Sequence, residues 1–133
     1  MNLSDADREL IALARQVRQH AYAPYSRYAV GAAVRTTSGK LFAGVNVENA
    51  SYGLTICAER VAVFRAVAEG EHAIVAVAVV TPDGGRPCGA CRQVLLEFAP
   101  NPAECVVWIA SPDHLVARYS LEELLPDHFR LQP

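Results

Sequence analysis

Two uninterrupted apolar runs set the strongest constraint on how this chain of 133 residues can fold. The runs are Ile-Val-Ala-Val-Ala-Val-Val at residues 74–80 and Cys-Val-Val-Trp-Ile-Ala at residues 105–110. Short β-branched runs without charge are typical of strands that are buried on both faces. A helical segment lies between the two runs, so we predict two parallel strands in a layered α/β protein.

Local signals predict the remaining elements of the chain. Ser4, followed by Asp5 and Asp7, is typical of a helix N-cap and begins a helix predicted over residues 4–20. Residues 28–35 and 40–48 are predicted to form a β-hairpin. Further predicted elements are helices from near Cys57 to Gly70, from Gly89 to Phe98 and from Ser120 to just before Pro126, and an edge strand over 115–119. The order α-β-β-α-β-α-β-β-α predicts a mixed sheet of about five strands flanked by helices.

Composition and charge exclude several classes of protein. With 52% hydrophobic and 20% charged residues the chain is unlike disordered sequences, and its length suits a single domain over residues 1–133. A net charge of −2 without a Lys/Arg cluster argues against binding to nucleic acid. No apolar stretch is long enough to span a membrane. The polar, acidic start is unlike a signal peptide, so a cytoplasmic location is expected.

Three of the four cysteines have the spacing of a metal site. Cys88 and Cys91 lie three residues apart at the predicted start of the third helix, where both sulfurs can reach one ion. Cys57 lies at the predicted start of the second helix, and parallel strands bring both helix starts to one edge of the sheet. Helix N-termini favour thiolates, and thiolates suit zinc. Three protein ligands leave a fourth position for water, which is typical of a catalytic zinc.

Two charged residues follow the first of these cysteines. Glu59 lies close enough to the predicted metal to move protons between water and a substrate. Three thiolates and Zn²⁺ sum to a charge of −1, which weakens the acidifying effect of the metal on water. Arg60 is therefore predicted to donate to the sulfurs and withdraw part of that charge.

Simpler interpretations exist for each of these residues. The Cys-x-x-Cys motif also fits a redox pair or a structural zinc, and the side chains of Glu59 and Arg60 could be ordinary exposed charges.

Cys105 lies in an apolar run and is predicted to be a buried thiol that binds no metal. Trp108 is predicted to lie in the core. The histidines show no ligand spacing and are predicted to lie on the surface or in loops; they are His20, His72, His114 and His128.

The motifs together resemble those of a known enzyme family. Zinc deaminases carry His or Cys, then x-Glu, then Pro-Cys-x-x-Cys, and this chain has Cys57-Ala58-Glu59 and Pro87-Cys88-Gly89-Ala90-Cys91. The surrounding segments resemble the small homotetrameric zinc-dependent cytidine deaminases over residues 10–129. These segments are Tyr25-Ser26, Val30-Gly31-Ala32-Ala33, residues 46–53, Cys91-Arg92-Gln93, Leu124-Leu125-Pro126 and Phe129.

The resemblance implies a fold, an activity and a set of site residues. It implies a three-layer α-β-α sandwich and hydrolytic deamination of cytidine and 2′-deoxycytidine to uridine and 2′-deoxyuridine, with release of ammonia, in pyrimidine salvage. One zinc ion per subunit of a homotetramer is implied. The implied residue roles are zinc binding by Cys57, Cys88 and Cys91, proton transfer by Glu59, ribose binding by Asn46 and Glu48, pyrimidine-carbonyl binding by the Ala58 N–H, and base stacking by Phe129 of a neighbouring subunit.

The sequence departs from the family pattern at one position of the implied nucleoside pocket. The family usually has phenylalanine where this chain has Tyr28, whose hydroxyl needs a hydrogen-bond partner if it is buried. Two other functions are retained beside this one. One is deamination of a modified or antibiotic cytosine nucleoside, although Asn46 and Glu48 favour an ordinary ribose. The other is a non-catalytic structural zinc module, which predicts a fourth protein ligand.

Overall fold

The computed structural model describes residues 2–131, and the elements in that range follow the predicted order. The strands are β1 (Gly31–Thr36), β2 (Leu41–Val45), β3 (Ile74–Val80), β4 (Val106–Ala110) and β5 (Leu115–Ser120). The α-helices are α1 (Asp5–Val17), α2 (Ala58–Ala68), α3 (Gly89–Phe98) and α4 (Leu121–Leu124). Short 3₁₀ helices cover Arg18–His20 and Tyr52–Leu54.

The strands form one mixed sheet in the order β2-β1-β3-β4-β5. Strand β1 is antiparallel to both of its neighbours, so β2 and β3 run in the same direction. Strands β3 and β4 pair in parallel, and β5 is the antiparallel edge strand. The five-stranded mixed sheet and its edge strand are confirmed.

Helices cover both faces of the sheet, as a three-layer α-β-α sandwich requires. On one face, α1 packs Leu10, Ile11 and Ala14 against sheet residues that include Trp108. On the other face, α2, α3 and α4 enclose a larger core with β3 and β4. Trp108 is 2% exposed and Cys105 is 1% exposed, so both are core residues as predicted. Burial also raises the pKa of Cys105 to about 12, which keeps it a neutral thiol.

A glycine brings the start of α2 unusually close to the sheet. A Cβ atom on Gly44 of β2 would lie 2.4 Å from the Ala62 nitrogen and 2.6 Å from the Ala58 carbonyl oxygen. Because both atoms are helix backbone, they cannot move aside for a side chain. The absence of a side chain at Gly44 therefore sets the distance between β2 and the first turns of α2.

Several predicted boundaries differ from the structure at their ends. The helix predicted over 4–20 is α-helical only to Val17 and closes with a 3₁₀ turn. The strands predicted over 28–35 and 40–48 cover 31–36 and 41–45. Strand β2 ends early because the chain changes partners beyond it, and Val47 bridges Tyr22 on one side and Ile56 on the other.

Capping residues behave as the sequence predicts. The Ser4 hydroxyl accepts a hydrogen bond from the Asp7 N–H, and Ser120 forms a capping box with Glu123. Of the histidines, His20, His72 and His114 are exposed and His128 is half-buried in the segment after α4. Within residues 2–131, none of the helices is both long enough and apolar enough to cross a membrane.

Candidate active site

The sheet topology brings the starts of α2 and α3 to one edge of the sheet. Helix α2 follows β2 and helix α3 follows β3, and these strands run in the same direction. Cys57 is the N-cap residue of α2, Cys88 is the N-cap residue of α3, and Cys91 lies in the first turn of α3. Two helix N-termini, each with a partial positive charge, therefore face the same point.

The three predicted sulfurs converge there. The ligand atoms of Cys57, Cys88 and Cys91 all lie within 4.8 Å of one another. The Sγ atom of Cys88 is 3.9 Å from that of Cys57 and 3.4 Å from that of Cys91. Four sulfur ligands at about 2.3 Å from a tetrahedral zinc lie about 3.8 Å apart, so the spacing fits a zinc ion. The three cysteines therefore form a cluster that could hold a metal ion.

The chemistry of the cluster also fits a metal that keeps one position open. Among the residues that the structure describes, no fourth His, Cys, Asp or Glu joins the three thiols. The structural zinc module predicted such a fourth ligand, so this arrangement favours the catalytic interpretation. Cys91 is buried, Cys57 is half-buried and Cys88 is exposed, so the cluster reaches from the core to solvent.

Hydrogen bonds within the cluster favour ionisation at Cys57. The thiol of Cys91 and the guanidinium of Arg60 donate to the Cys57 sulfur and lower its pKa to about 5. The same interaction with Cys57, together with burial, raises the pKa of Cys91. Nη2 of Arg60 lies 3.4 Å from the Cys57 Sγ atom. The predicted donation from Arg60 to a sulfur is therefore present in the structure.

Glu59 lies directly beside this cluster, in the first turn of α2. Its side chain is only 4% exposed, which excludes the simpler interpretation of Glu59 as a surface charge. Burial raises the pKa of Glu59 to about 7, and the negative charge of Cys57 acts in the same direction. A carboxyl group with a pKa near neutrality can both accept and donate a proton at physiological pH.

A cavity of about 380 Å³ opens in front of the cluster. That volume is within the range of pockets that bind small molecules. Its lining includes all the predicted site residues except Cys91, Phe129 and Arg60; those that line it are Tyr28, Asn46, Glu48, Cys57, Ala58, Glu59 and Cys88. The Ala58 N–H belongs to the first turn of α2, where helix donors have no partner within the helix.

Asn46 also lines the cavity, and its side chain is held by backbone groups. The Asn46 Oδ1 atom accepts from the Val30 N–H at 2.9 Å, and its Nδ2 atom donates to the Tyr28 carbonyl at 2.8 Å. Both amide atoms of Asn46 are thus used in fixing the backbone at residues 28–30, and one N–H remains for a ligand. Sequence spacing did not indicate this structural role.

The carboxylate of Glu48 is held by the turn at residues 25–26. The N–H groups of Tyr25 and Ser26 donate to its Oε1 atom at 3.0 and 3.1 Å, and the Ser26 hydroxyl donates to its other oxygen. The Ser26 hydroxyl, followed by these backbone donors, lowers the pKa of Glu48. Glu48 is therefore an oriented carboxylate at neutral pH.

Phe129 is the one predicted site residue that neither lines this cavity nor contacts the thiol cluster in the described range of the chain. It is 68% exposed, and it follows α4. Sequence reasoning did not single out Ser26, Thr55, Thr81 or Arg86 as lining residues, although all four line the cavity. Arg86 directly precedes the Pro-Cys motif, and that position in the sequence was the one available signal for it.

The fold and the thiol cluster define an α/β protein in which three cysteines that could hold a metal ion lie beside a cavity of small-molecule size. Residues 4–108 match the family model for the cytidine and deoxycytidylate deaminase zinc-binding region. That match covers most of the chain, which belongs to this deaminase family.

Individual relatives agree with the family match. A cytidine deaminase of Halalkalibacterium halodurans is 48% identical, over 90% of this chain and 91% of that protein. The crystal structure of cytidine deaminase from Burkholderia pseudomallei matches with a TM-score of 0.86 and 46% identity, covering 96% of this chain and 100% of that one. A blasticidin-S deaminase of Bacillus cereus is 33% identical, over 94% of this chain and 93% of that protein.

Proposed function

We propose that the chain is a cytidine deaminase that converts cytidine and 2′-deoxycytidine to uridine and 2′-deoxyuridine, with release of ammonia. One catalytic domain, residues 1–133, would hold one zinc ion per subunit. The observation that carries the proposal is the cavity itself, because Cys57, Cys88 and buried Glu59 line it together with Asn46 and Glu48. A nucleoside has a base to face the thiols and Glu59, and a sugar to face Asn46 and Glu48.

The proposed role of each residue follows from the position of its side chain or backbone N–H. Zinc bound by Cys57, Cys88 and Cys91 would supply the Lewis acid that makes water nucleophilic at neutral pH. The oxygen of water adds at ring C4, and the C4–N bond to the amine breaks. Glu59 takes a proton from water, gives it to ring N3, and later moves a proton to the leaving amine. The Ala58 N–H holds the pyrimidine carbonyl, while Asn46 and Glu48 hold the sugar.

Purified zinc-loaded protein tests the proposal directly. Mixed with cytidine or deoxycytidine, it is expected to cause the ultraviolet change that accompanies formation of the uridine nucleoside, with one ammonia released per turnover. Blasticidin S is the comparison substrate, because one relative is a blasticidin-S deaminase. Turnover of blasticidin S alone would favour the antibiotic-deaminase alternative. Turnover of none of the three would exclude the proposal.

A cellular role in pyrimidine salvage, in the cytoplasm, belongs to the same proposal. A pyrimidine auxotroph without its own cytidine deaminase is expected to grow on cytidine when it expresses this chain. Failure to grow despite an active purified enzyme would contradict the salvage role, and recovery of the chain outside the cytoplasmic fraction would contradict the location.

Arg60 is proposed to tune the metal centre through its hydrogen bond to Cys57. Arg60→Gln is expected to lower kcat for cytidine about tenfold at neutral pH, since a hydrogen bond to a charged group is worth about 1.5 kcal/mol. The exposed Arg8 on α1 provides the control Arg8→Gln. Full activity of Arg60→Gln at neutral pH would show that the guanidinium does not act on the cluster.

A homotetramer with shared active sites is also part of the proposal. Several large apolar side chains lie exposed, as expected of surfaces that other subunits cover; they are Tyr22, Tyr25, Val47, Tyr52, Leu54, Phe64, Phe129 and Leu131. Phe129 is exposed and does not line the cavity of its own chain. It is therefore free to reach a neighbouring cavity and stack on the base.

Phe129→Ala tests the sharing of active sites. Loss of one base–aromatic stack costs about 1–3 kcal/mol, so the KM for cytidine is expected to rise about tenfold while the oligomer is retained. Hybrids of Phe129→Ala and Glu59→Gln subunits are expected to regain activity, because one subunit supplies an intact Glu59 and its neighbour an intact Phe129. A monomeric mass in sedimentation, or verified hybrids without recovery, would contradict shared sites.

A further inference from the structure

Tyr28 makes a long-range hydrogen bond across the rim of the cavity. Its hydroxyl donates to the Oδ1 atom of Asp83 at 2.5 Å, although the two residues are 55 positions apart in the sequence. Tyr28 lines the cavity, whereas Asp83 is not among its lining residues. An effect of Asp83 on a ligand is therefore indirect, and Tyr28, its closest hydrogen-bond partner, is the main route for it.

The backbone of Tyr28 is joined to both proposed sugar-binding side chains. Its N–H donates to the Ser26 hydroxyl oxygen at 3.0 Å, and the same hydroxyl donates to the carboxylate of Glu48. Its carbonyl oxygen accepts from the Nδ2 atom of Asn46 at 2.8 Å. A displacement of Tyr28 would therefore be transmitted to Asn46 and Glu48 together.

Asp83 belongs to the loop at residues 81–87, which joins β3 to Cys88. The Thr81 hydroxyl donates to the Asp83 Oδ1 atom at 3.4 Å and accepts from the Gly85 N–H at 2.6 Å. The far end of this loop is fixed separately, because Arg92 donates through Nε to the Pro87 carbonyl at 2.8 Å. Changes near Asp83 can therefore reach Tyr28 without moving Cys88.

Gly85 fits against the Tyr28 hydroxyl. A Cβ atom at Gly85 would lie 2.5 Å from the Tyr28 hydroxyl oxygen, while its next contacts, to Asp83 and Thr81, would be ordinary ones of 3.5 and 3.7 Å. The φ angle of Gly85 lies outside the left-handed region, so its backbone accepts any residue. The hydroxyl of Tyr28 is thus the one close obstacle to a side chain at position 85.

We propose that Tyr28, Asp83 and Gly85 form a latch that positions the cavity wall for nucleoside binding. Asp83 and Gly85 are positioning residues in this latch, and Tyr28 is the residue that contacts the ligand. Desolvation and donation to Asp83 both raise the pKa of Tyr28, in keeping with a phenol that acts as a donor. The binding role rests on the proposed deaminase function, whereas the contact between Tyr28 and Gly85 does not.

A double-mutant cycle tests the latch. Tyr28→Phe is expected to raise the KM for cytidine about fivefold, and Gly85→Ala about tenfold, because overpacking against the hydroxyl displaces Tyr28. In the Tyr28→Phe background, Gly85→Ala is expected to raise KM less than about twofold further, since the obstacle is gone. Asp83→Asn is expected to match Tyr28→Phe. In all four variants the rise in KM is expected to exceed any change in kcat, and the zinc content is expected to remain that of the wild type.

Two control variants separate the latch from general damage. Glu104→Gln removes an exposed carboxylate from the turn before β4, and Asp113→Asn removes one from the β4–β5 connection. Neither is expected to change KM. Melting temperatures of the whole set provide a readout of the Tyr28–Gly85 contact that needs no turnover.

The outcomes distinguish the latch from the deaminase function. The latch would be overturned if Gly85→Ala changed KM and the melting temperature by the same amounts in the wild type and in Tyr28→Phe. If the two substitutions were coupled in their effects on melting temperature but additive in their effects on KM, the contact would be purely structural. That result would overturn the positioning role. A third outcome is that the melting temperatures of the variants are coupled but the wild-type protein deaminates no nucleoside. That outcome would overturn the proposed function and the binding role with it, and would leave only the contact between Tyr28 and Gly85.

Discussion

Replacement of Glu59 by glutamine is expected to lower kcat for cytidine about 10⁴-fold, the upper end of what general acid–base catalysis contributes. Glutamine has nearly the volume of glutamate but cannot carry the transferred proton. Glu59 is 4% exposed, with a pKa raised to about 7 by burial, and it lies beside the thiol cluster. Steady-state rates of uridine formation measure the effect, and zinc analysis verifies that the metal is retained.

Glu97→Gln is the matched control, because Glu97 is an exposed carboxylate on α3. It is expected to leave kcat unchanged within about twofold. Undiminished turnover by Glu59→Gln would show that another group transfers the protons. Loss of zinc from Glu59→Gln would show that the carboxylate supports the metal site instead.

Replacement of Cys91 by alanine is expected to remove both zinc and activity. Cys57 and Cys88 alone would supply only two of the four ligands that zinc prefers. Among the described residues, no other candidate ligand joins them. Zinc content per subunit is expected to fall from one to below about 0.1, and deamination of cytidine is expected to become undetectable. The melting temperature should also lose its dependence on added zinc, because a ligand stabilises only the fold that binds it.

Cys105→Ala is the control for that experiment. Cys105 lies in the apolar core just before β4, and its pKa of about 12 keeps it protonated. Its replacement is expected to cost about 1 kcal/mol of stability through the small cavity it leaves, without loss of zinc. A Cys91→Ala protein that keeps its zinc, or a Cys105→Ala protein that loses it, would show that the ligand set is wrong.

The secondary structure was largely predictable because its signals are local. Apolar runs predicted β3 and β4, and the helix predicted from Gly89 to Phe98 is α3, with the same bounds. Ser4 and Ser120 act as caps because a side-chain oxygen satisfies helix N–H groups only two or three residues away. Such signals depend on neighbours in sequence, which the printed chain contains.

Boundaries decided by distant partners were predicted less well. The second strand was predicted to run to residue 48, but it ends at Val45 because Val47 pairs with Tyr22 and Ile56 instead. The same rearrangement engages the Asn46 amide with the backbone at residues 28–30. The alternation of polar and apolar residues along one strand does not identify the partners of Val47 or those of the Asn46 amide.

By itself, the sequence determined the family and the class of fold: the Cys57-Ala58-Glu59 and Pro87–Cys91 motifs indicated a zinc deaminase, and the order of elements indicated an α/β sheet. Only the tertiary structure decided the distances, the burial of Glu59 and the partner of the Tyr28 hydroxyl. The physical reason is the separation along the sequence of the residues that are in contact. Helix caps and strand runs form among neighbours in the chain. The contact of Cys57 with Cys88, by contrast, exists only because β2 and β3 run in the same direction and carry two helix starts to one edge of the sheet.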